Sequence, residues 1–420
     1  MKNASKLPWR ILTAGFLAII FLFGTMTMIL DTDTLVNTTA RSFQMSRSEG
    51  KGIFAAMTDS IDALETEYNM VFFSKSSYLA GNILVKKILG HEFFPDASDD
   101  MTMVRLTDGS ISKVKFSMHS EACQAPLRQF KDYLDEMGIP LIFVYVHTEI
   151  LEPEEQLPFG TVDLSNQHAD QFLRMLDKMG IDYIDTREVL LDMGRPVSEL
   201  YFRTDTHWTI PSAFAVYQTL ARRLNEQYGF EINEKFIDAA SYETELYEDI
   251  FLGSYGHQTT PYYTGTEDFE IVVPTFETNL TERTQRNDNN WIIREGTFAE
   301  SVLHLECLEP DEGVNYSSHC YQTYNYNWGE VLYENHDPDA DNRSVLFIKT
   351  SCGNPITDFM ALGVENVCGL DRRNLTRTTI AEYTADYQPD AVVIVYNYDF
   401  LRSERLDFFT APAAADNEGV

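Results

Sequence analysis

The stretch Leu127–Val146, LRQFKDYLDEMGIPLIFVYV, decides the fold class. Leu127, Phe130, Leu134 and Met137 recur at steps of 3, 4 and 3, which is one face of a helix, and Gly138 is its natural stop. Pro140 then leads into six apolar residues in a row, Leu141 to Val146. A run without polar alternation suits a strand whose two faces are both covered, as in a parallel sheet between helical layers. Working outward, the same step returns. Asn166 to Met179 puts Phe172, Met175, Leu176 and Met179 on one face, Gly180 ends it, and Ile181 to Ile184 reads as a short strand. Ser344–Ile348 and Ala391–Val395 add two apolar strands, the latter preceded by a helix expected over Leu375–Tyr383. Such alternation predicts an α/β sheet with helices on both faces.

The flanks bound the organisation. Ile11–Leu30 is twenty residues without a charge, enough at 1.5 Å per residue to cross a hydrocarbon core of about 30 Å. A cleaved signal peptide would carry a shorter apolar region and a small-x-small site, whereas Met26 to Leu30 stay bulky, so an uncleaved anchor is expected. Lys2, Lys6 and Arg10 precede the span and Asp31 and Asp33 follow it, which places residues 1–10 in the cytoplasm and the body outside. After the anchor (11–30) the reading is a membrane-proximal segment over 31–118, then the first part of the α/β domain over 119–228. An insertion with some β-structure fills 229–342, where periodicity gives way to Tyr, Thr, Asn, Asp and Glu around runs such as Phe269–Val273. The second part of the domain covers 343–410, and 411–420 reads as a disordered tail.

Composition narrows the function. With 44% hydrophobic residues the chain can bury a large core. The formal charge is −33, and since Lys2, Lys6 and Arg10 contribute three positives ahead of the span, the rest carries −36. That argues against nucleic acid and strongly anionic polymers as partners. Five cysteines, Cys123, Cys307, Cys320, Cys352 and Cys368, show no metal-ligand spacing, there is no HExxH, and no glycine-rich phosphate loop is present, so neither metal nor nucleotide cofactor is expected. Cys307 and Cys320 are spaced to allow a disulfide in an oxidising compartment.

Two segments carry candidate chemistry. In YFRTDTHWTIPSAF, Tyr201–Phe214, Asp205 and His207 stand two apart ahead of a helix that has Pro211 in its first turn, a buried stripe of Phe214, Tyr217, Ala221, Leu224 and Tyr228, and Gly229 as its stop. In SVLFIKTSCGNPITDFMA, Ser344–Ala361, Ser351 sits between a strand end and a helix start, where open α/β sheets bind ligands. Ser351, His207 and Asp205 make a nucleophile, a base and a carboxylate that orients it. The bland alternative is a capping Asp, a packed His and a turn Ser. Cys352 is a neighbouring candidate nucleophile. His147 and Glu149 follow one strand end, and Tyr396, Asn397 and Arg405 follow the last strand. His147, Tyr396, Asn397 and Arg405 are the candidate substrate-binding residues, with packing or plain surface as the alternative. Tyr262, Tyr263 and Trp291 are aromatic enough to stack on sugar rings or to pack a core.

Thr204–Thr209, TDTHWT, with the Pro-Ser-Ala helix after it, resembles the Asp-x-His-Trp signature of the SGNH-hydrolase-like proteins of the DHHW family and of the alginate O-acetyltransferases related to AlgJ and AlgX. VLFIKTSCGNPITDFMA resembles their Gly-Asp-Ser block, and LIFVYVH, DYIDTREVL, FLGSYGHQTTPYY and QPDAVVIVYNYDFLRSER agree with it. The resemblance spans roughly residues 65–410. It implies a three-layer α/β/α fold of the SGNH-hydrolase type acting on acyl esters, with Asp205, His207 and Ser351 as the catalytic residues. It further implies O-acetylation of a cell-surface polysaccharide outside the cytoplasmic membrane, with a multi-spanning membrane O-acyltransferase delivering the acetyl group. Lys349-Thr350 stands where the family has Gly-Asp, and Thr206 where the DHHW name expects His. On that departure rests the alternative of a catalytically inactive glycan-binding or assembly module. A carbohydrate esterase is a further alternative, since transferase and hydrolase differ only in whether a sugar hydroxyl or water reaches the acyl-enzyme.

Overall fold

The computed structural model describes residues 6–48, 50–72, 75–95, 102–116, 120–285, 291–375 and 377–411, so residues 1–5 and 412–420 of the expected N-terminus and tail lie outside the described residues. The chain forms two compact units, one ending at Leu89 and one beginning at Gly90. The first is helical: Lys6–Leu30, Thr32–Ser48, Ile53–Met70 and Lys75–Ile88. Its first helix contains Ile11–Leu30, long and apolar enough to cross a membrane and with almost all of its surface uncovered. Thr32–Ser48 and Ile53–Met70 pack together, with Ser42 Oγ donating to the Asp59 carbonyl at 3.1 Å.

The second unit is built on an eight-stranded sheet. In chain order its strands are β1 (Leu141–Val146), β2 (Asp182–Asp185), β3 (Leu280–Gln285), β4 (Ile292–Gly296), β5 (Glu330–Asn335), β6 (Asp341–Lys349), β7 (Val364–Leu370) and β8 (Ala391–Asn397). They lie in the order β2-β1-β8-β6-β7-β5-β3-β4. The first five run parallel and the last three antiparallel. The helices that cover it are α1 (Ser120–Met137), α2 (Ser165–Met179), α3 (Thr186–Asp192), α4 (Ile210–Tyr228), α5 (Asn354–Gly363) and α6 (Ile380–Tyr387).

Alternation along the strands divides the core in two. Ile142, Val144, Val345, Phe347, Val393 and Val395 face α4 and α5, packing with Phe214, Tyr217 and Phe359. Phe143, Tyr145, Leu346, Ile348, Val392 and Ile394 face α1, α2 and α6, packing with Phe130, Leu134, Phe172 and Ile380. The result is the three-layer α/β/α arrangement, and every residue of β1 is buried because both its faces are covered. Each such side chain contributes on the order of 1.5–3 kcal/mol, so a charge at Val144 would abolish the fold. Gly180 (φ 67°) and Gly229 (φ 69°) end α2 and α4 in the left-handed conformation that only glycine adopts without strain, which stops each helix where the next segment must turn back.

Three departures from the sequence reading stand out. The helix expected over Leu375–Tyr383 is Ile380–Tyr387, because the Thr379 side chain and Glu382 form a reciprocal capping box that fixes its start. Residues 229–342 hold a hairpin of Tyr242–Phe251 with Glu267–Pro274, but they also supply β3, β4 and β5 to the main sheet. Cys307 and Cys320 are free buried thiols, the former beside the Tyr326 hydroxyl at 3.2 Å.

Candidate active site

The parallel strands deliver their carboxyl ends to one edge of the sheet. β6 ends at Lys349, and Ser351–Gly353 form a single 3-10 turn that runs into α5. The turn is fixed at both sides: Thr350 N donates to the Val395 carbonyl at 3.3 Å and Gly353 N to the Thr350 carbonyl at 2.9 Å. Ser351 is half-buried at its mouth.

The partner loop comes from Tyr201–Thr209. Tyr201 bridges Trp208, and Phe202 N donates to the His207 carbonyl at 3.0 Å, so residues 202–207 double back as a tight loop. Trp208 is fully buried and anchors the loop in the core beneath α4. Within it, one Asp205 oxygen accepts from His207 N at 3.1 Å and faces His207 Nδ1 at hydrogen-bonding distance. His207 Nε2 lies 2.7 Å from Ser351 Oγ. With the proton on Nδ1 held by Asp205, Nε2 is the acceptor for the Ser351 hydroxyl, which is the arrangement of a nucleophile and its base. Tyr321 stacks on the imidazole, centroids 3.9 Å apart and planes 19° apart.

Asp205 is held by a segment far along the chain. Its second oxygen accepts from Ser254 N at 2.8 Å, Gly253 N donates to Thr204 Oγ1 at 2.8 Å, and Gly256 N to the Thr204 carbonyl at 2.8 Å. Glu267 completes the clamp by accepting from Arg203 N at 2.7 Å and Thr204 N at 2.8 Å. Burial pushes the Asp205 carboxyl up, but the imidazole of His207 and the N–H groups of Ser254 and His207 outweigh it and hold the carboxyl below the usual range. Asp205 is therefore ionised wherever His207 has work to do. Burial drives Glu267 the other way, up to about 7.

The sequence candidates separate here. Ser351, His207 and Asp205 converge. Cys352 does not compete: it is 1% exposed, and burial followed by the nearby Asp205 charge pushes its thiol up to about 12, so it stays protonated. His147 is buried, its backbone N–H donating to Thr186 Oγ1 at 3.1 Å, and burial with the nearby Arg187 charge lowers its ring to about 3, so it is neutral. Glu149 is likewise buried, accepting from Ser112 Oγ at 2.7 Å. Tyr396 belongs to the second core, and it and Arg405 both meet Phe400. Asn397 ends β8, half-buried with a sequestered Oδ1. Tyr263 is buried, whereas Tyr262 and Trp291 are exposed. Among the described residues no three of His, Cys, Asp or Glu converge as a metal site requires. Sequence reasoning missed the clamp of Gly253 and Ser254 and the Tyr321 lid. FLGS is distinctive, but nothing in it says which loop it will hold.

Residues 107–254 match the family model described as the SGNH hydrolase-like domain of acetyltransferase AlgX. The body has an SGNH-hydrolase-like fold. The matched span contains Asp205, His207, Gly253 and Ser254 and ends ahead of Ser351. Among solved structures, Bacillus cereus PatB1 with a sulfonyl adduct aligns with a TM-score of 0.59 at 17% identity, over 74% of this chain and 98% of that one. A DHHW family protein from Eubacterium siraeum aligns with a TM-score of 0.56 at 16% identity, over 74% and 96%. The O-acetyltransferase domain of Pseudomonas putida AlgJ is similar at a TM-score of 0.43 and 13% identity, over 71% and 91%. No curated protein matches the sequence. At these identities the SGNH-hydrolase-like likeness speaks for the fold, and the chemistry has to be argued from the residues.

Proposed function

We propose that this protein is an O-acyltransferase, transferring acetyl groups to a cell-surface polysaccharide through Ser351, His207 and Asp205. The observation that carries the reading is the unbroken contact from Asp205 through His207 to Ser351 Oγ. Ser351 Oγ attacks the acyl carbonyl as its proton passes to His207 Nε2, and the new positive charge is matched by Asp205. His207 returns the proton to the leaving group, which leaves an acyl ester on Ser351. An acceptor hydroxyl then gives its proton to His207 as its oxygen takes the acyl group, and His207 passes that proton to Ser351 Oγ as the ester bond breaks. The N-terminus of α5 points its positive end at the turn where the oxyanion develops. Water in place of the sugar hydroxyl would make the same site a carbohydrate esterase.

The apolar helix at residues 11–30 supports a single-pass placement with the body outside the cytoplasmic membrane, and a multi-spanning O-acyltransferase that supplies the acetyl group is part of the same proposal. The test is hydrolysis of p-nitrophenyl acetate by the detergent-solubilised full chain, beside Ser351→Ala and His207→Ala variants with unchanged melting temperatures. Activity that both variants lose by on the order of 10³-fold supports the triad. Activity no higher than in the variants favours an inactive glycan-binding module.

A further inference from the structure

Lys349, which stands where the resemblance expects glycine, lies directly under the turn that carries Ser351. It is 2% exposed, and its Nζ donates to Asn354 Oδ1 at 2.5 Å. Asn354, the first residue of α5, donates in turn from Nδ2 to the Asn325 carbonyl at 2.9 Å. Two glycines border the lysine stem, Gly369 also lying against Val331. A Cβ at Gly353 would stand 2.7 Å from Lys349 Cβ, and one at Gly369 would stand 3.0 Å from Lys349 Cε. Gly353 is in the turn itself and Gly369 on β7, so two elements are cut back to let an unbranched cationic side chain pass.

A buried ammonium is costly unless compensated. Burial pulls Lys349 down, while the carboxylates of Asp371 and Asp358 support its charge. Asp371 is also paired with Arg373, and Asp358 accepts from the Tyr333 hydroxyl at 2.6 Å. Apolar packing alone would have filled this space more cheaply. The ammonium instead grips the one side chain that begins α5, three residues past Ser351.

We infer that Lys349 is a positioning residue: through Asn354 it ties the start of α5 to the end of β6, and so sets Ser351 Oγ at His207 Nε2. This rests on reading Ser351 as the nucleophile. A methionine at 349 fits the same slot without the charge, and Asp371 keeps Arg373 while Asp358 can take a proton, so Lys349→Met folds.

The experiment is steady-state p-nitrophenyl acetate hydrolysis by the detergent-solubilised full chain, with melting temperatures and crystal structures, for Lys349→Met, Asn354→Ala and the double variant. Expected are a fall in kcat of about 30-fold or more with KM unchanged in each single variant, no further fall in the double variant beyond Asn354→Ala because the Lys349–Asn354 bond is already lost there, and displacement of Ser351 Oγ from its 2.7 Å contact with His207. A folded variant with kcat within about threefold of wild type, or losses that add in the double variant, overturns the inference. Asn354→Ala keeps the ammonium and decides the matter if Lys349→Met does not fold. If the wild-type chain shows no esterase activity, the nucleophile reading fails, and the positioning claim stands or falls on whether Ser351 Oγ moves in the variant crystals.

Discussion

Gly253 has no room for a side chain because Asp205 occupies it: a Cβ there would stand 2.2 Å from Asp205 Cβ and 2.5 Å from its Oδ2. The obstruction is next to the Asp205 backbone, so no rotation of a flexible end relieves it. Gly253→Ala must push the carboxylate away from His207 or break its bond from Ser254 N. A displacement near 1 Å at a catalytic group costs on the order of 10²-fold in kcat. That loss, with far-ultraviolet circular dichroism unchanged, is the expected result; wild-type turnover in the variant would show that Asp205 does not orient the base.

Asp205→Asn tests the same link from its other end. The amide can donate to Nδ1, which then loses its proton and leaves Nε2 protonated and unable to accept from Ser351. The expected fall in kcat is on the order of 10³–10⁴, with a modest drop in melting temperature because Ser254 N–H keeps an acceptor while His207 N–H loses one. A pH–rate profile that merely shifts, at undiminished maximum, would refute the assigned role.

Much of this was legible in the sequence, and the limits are physical. β1, β6 and β8 announce themselves because both their faces are apolar, and α2 and α4 because glycine ends a one-sided stripe. β3 does not: LTERTQ buries Thr281, Glu282, Thr284 and Gln285, polar residues satisfied by tertiary partners such as Asn325 and Tyr333. No local pattern distinguishes such a strand from a loop. Asp205 and His207 share a short loop and could be paired on spacing alone. The clamp from Ser254 and the Tyr321 stack arise from segments roughly 50 and 115 residues downstream, joined only by the folded chain. Tyr396 takes the packing alternative, because alternation along β8 puts it in the second core and Val395 in the first.

Tyr321 covers the imidazole with its face, so the ring and not the hydroxyl should matter. Tyr321→Phe is expected to keep kcat within a few-fold. Tyr321→Ala removes a buried aromatic, costing about 3–5 kcal/mol of stability, and frees His207 to rotate, lowering kcat by about tenfold or more. Urea denaturation and steady-state kinetics on the two variants separate the packing and orienting roles, and equal activity of both would dismiss the stack as incidental.

Cys352 neighbours Ser351 but has a buried thiol held at about 12. Cys352→Ala is expected to retain esterase activity within about threefold, and iodoacetamide to leave the native chain active. Inactivation by iodoacetamide that Cys352→Ala prevents would return the thiol to the mechanism.

Stability should decline as pH rises through neutrality. Burial lifts Glu267 and Glu149 from 4.5 to about 7 in the folded chain, so between those values the native state holds protons that the unfolded state has already released. The native state binds more protons in that window, the slope of unfolding free energy against pH is negative, and each group removes about 1.4 kcal/mol per pH unit until it ionises near 7. Asp205, held below its usual range, acts oppositely and withdraws its support only in strong acid. Urea midpoints are therefore expected to be higher at pH 5.5 than at pH 8. Glu267→Gln cannot ionise and keeps an acceptor for only one of Arg203 N and Thr204 N; it should lower the stability at pH 5.5 and flatten the decline by its own share, with Glu149, Glu282 and Asp358 supplying the rest. An unchanged slope in Glu267→Gln would mean that the clamp on Thr204 is made by a carboxylate already charged at pH 5.5.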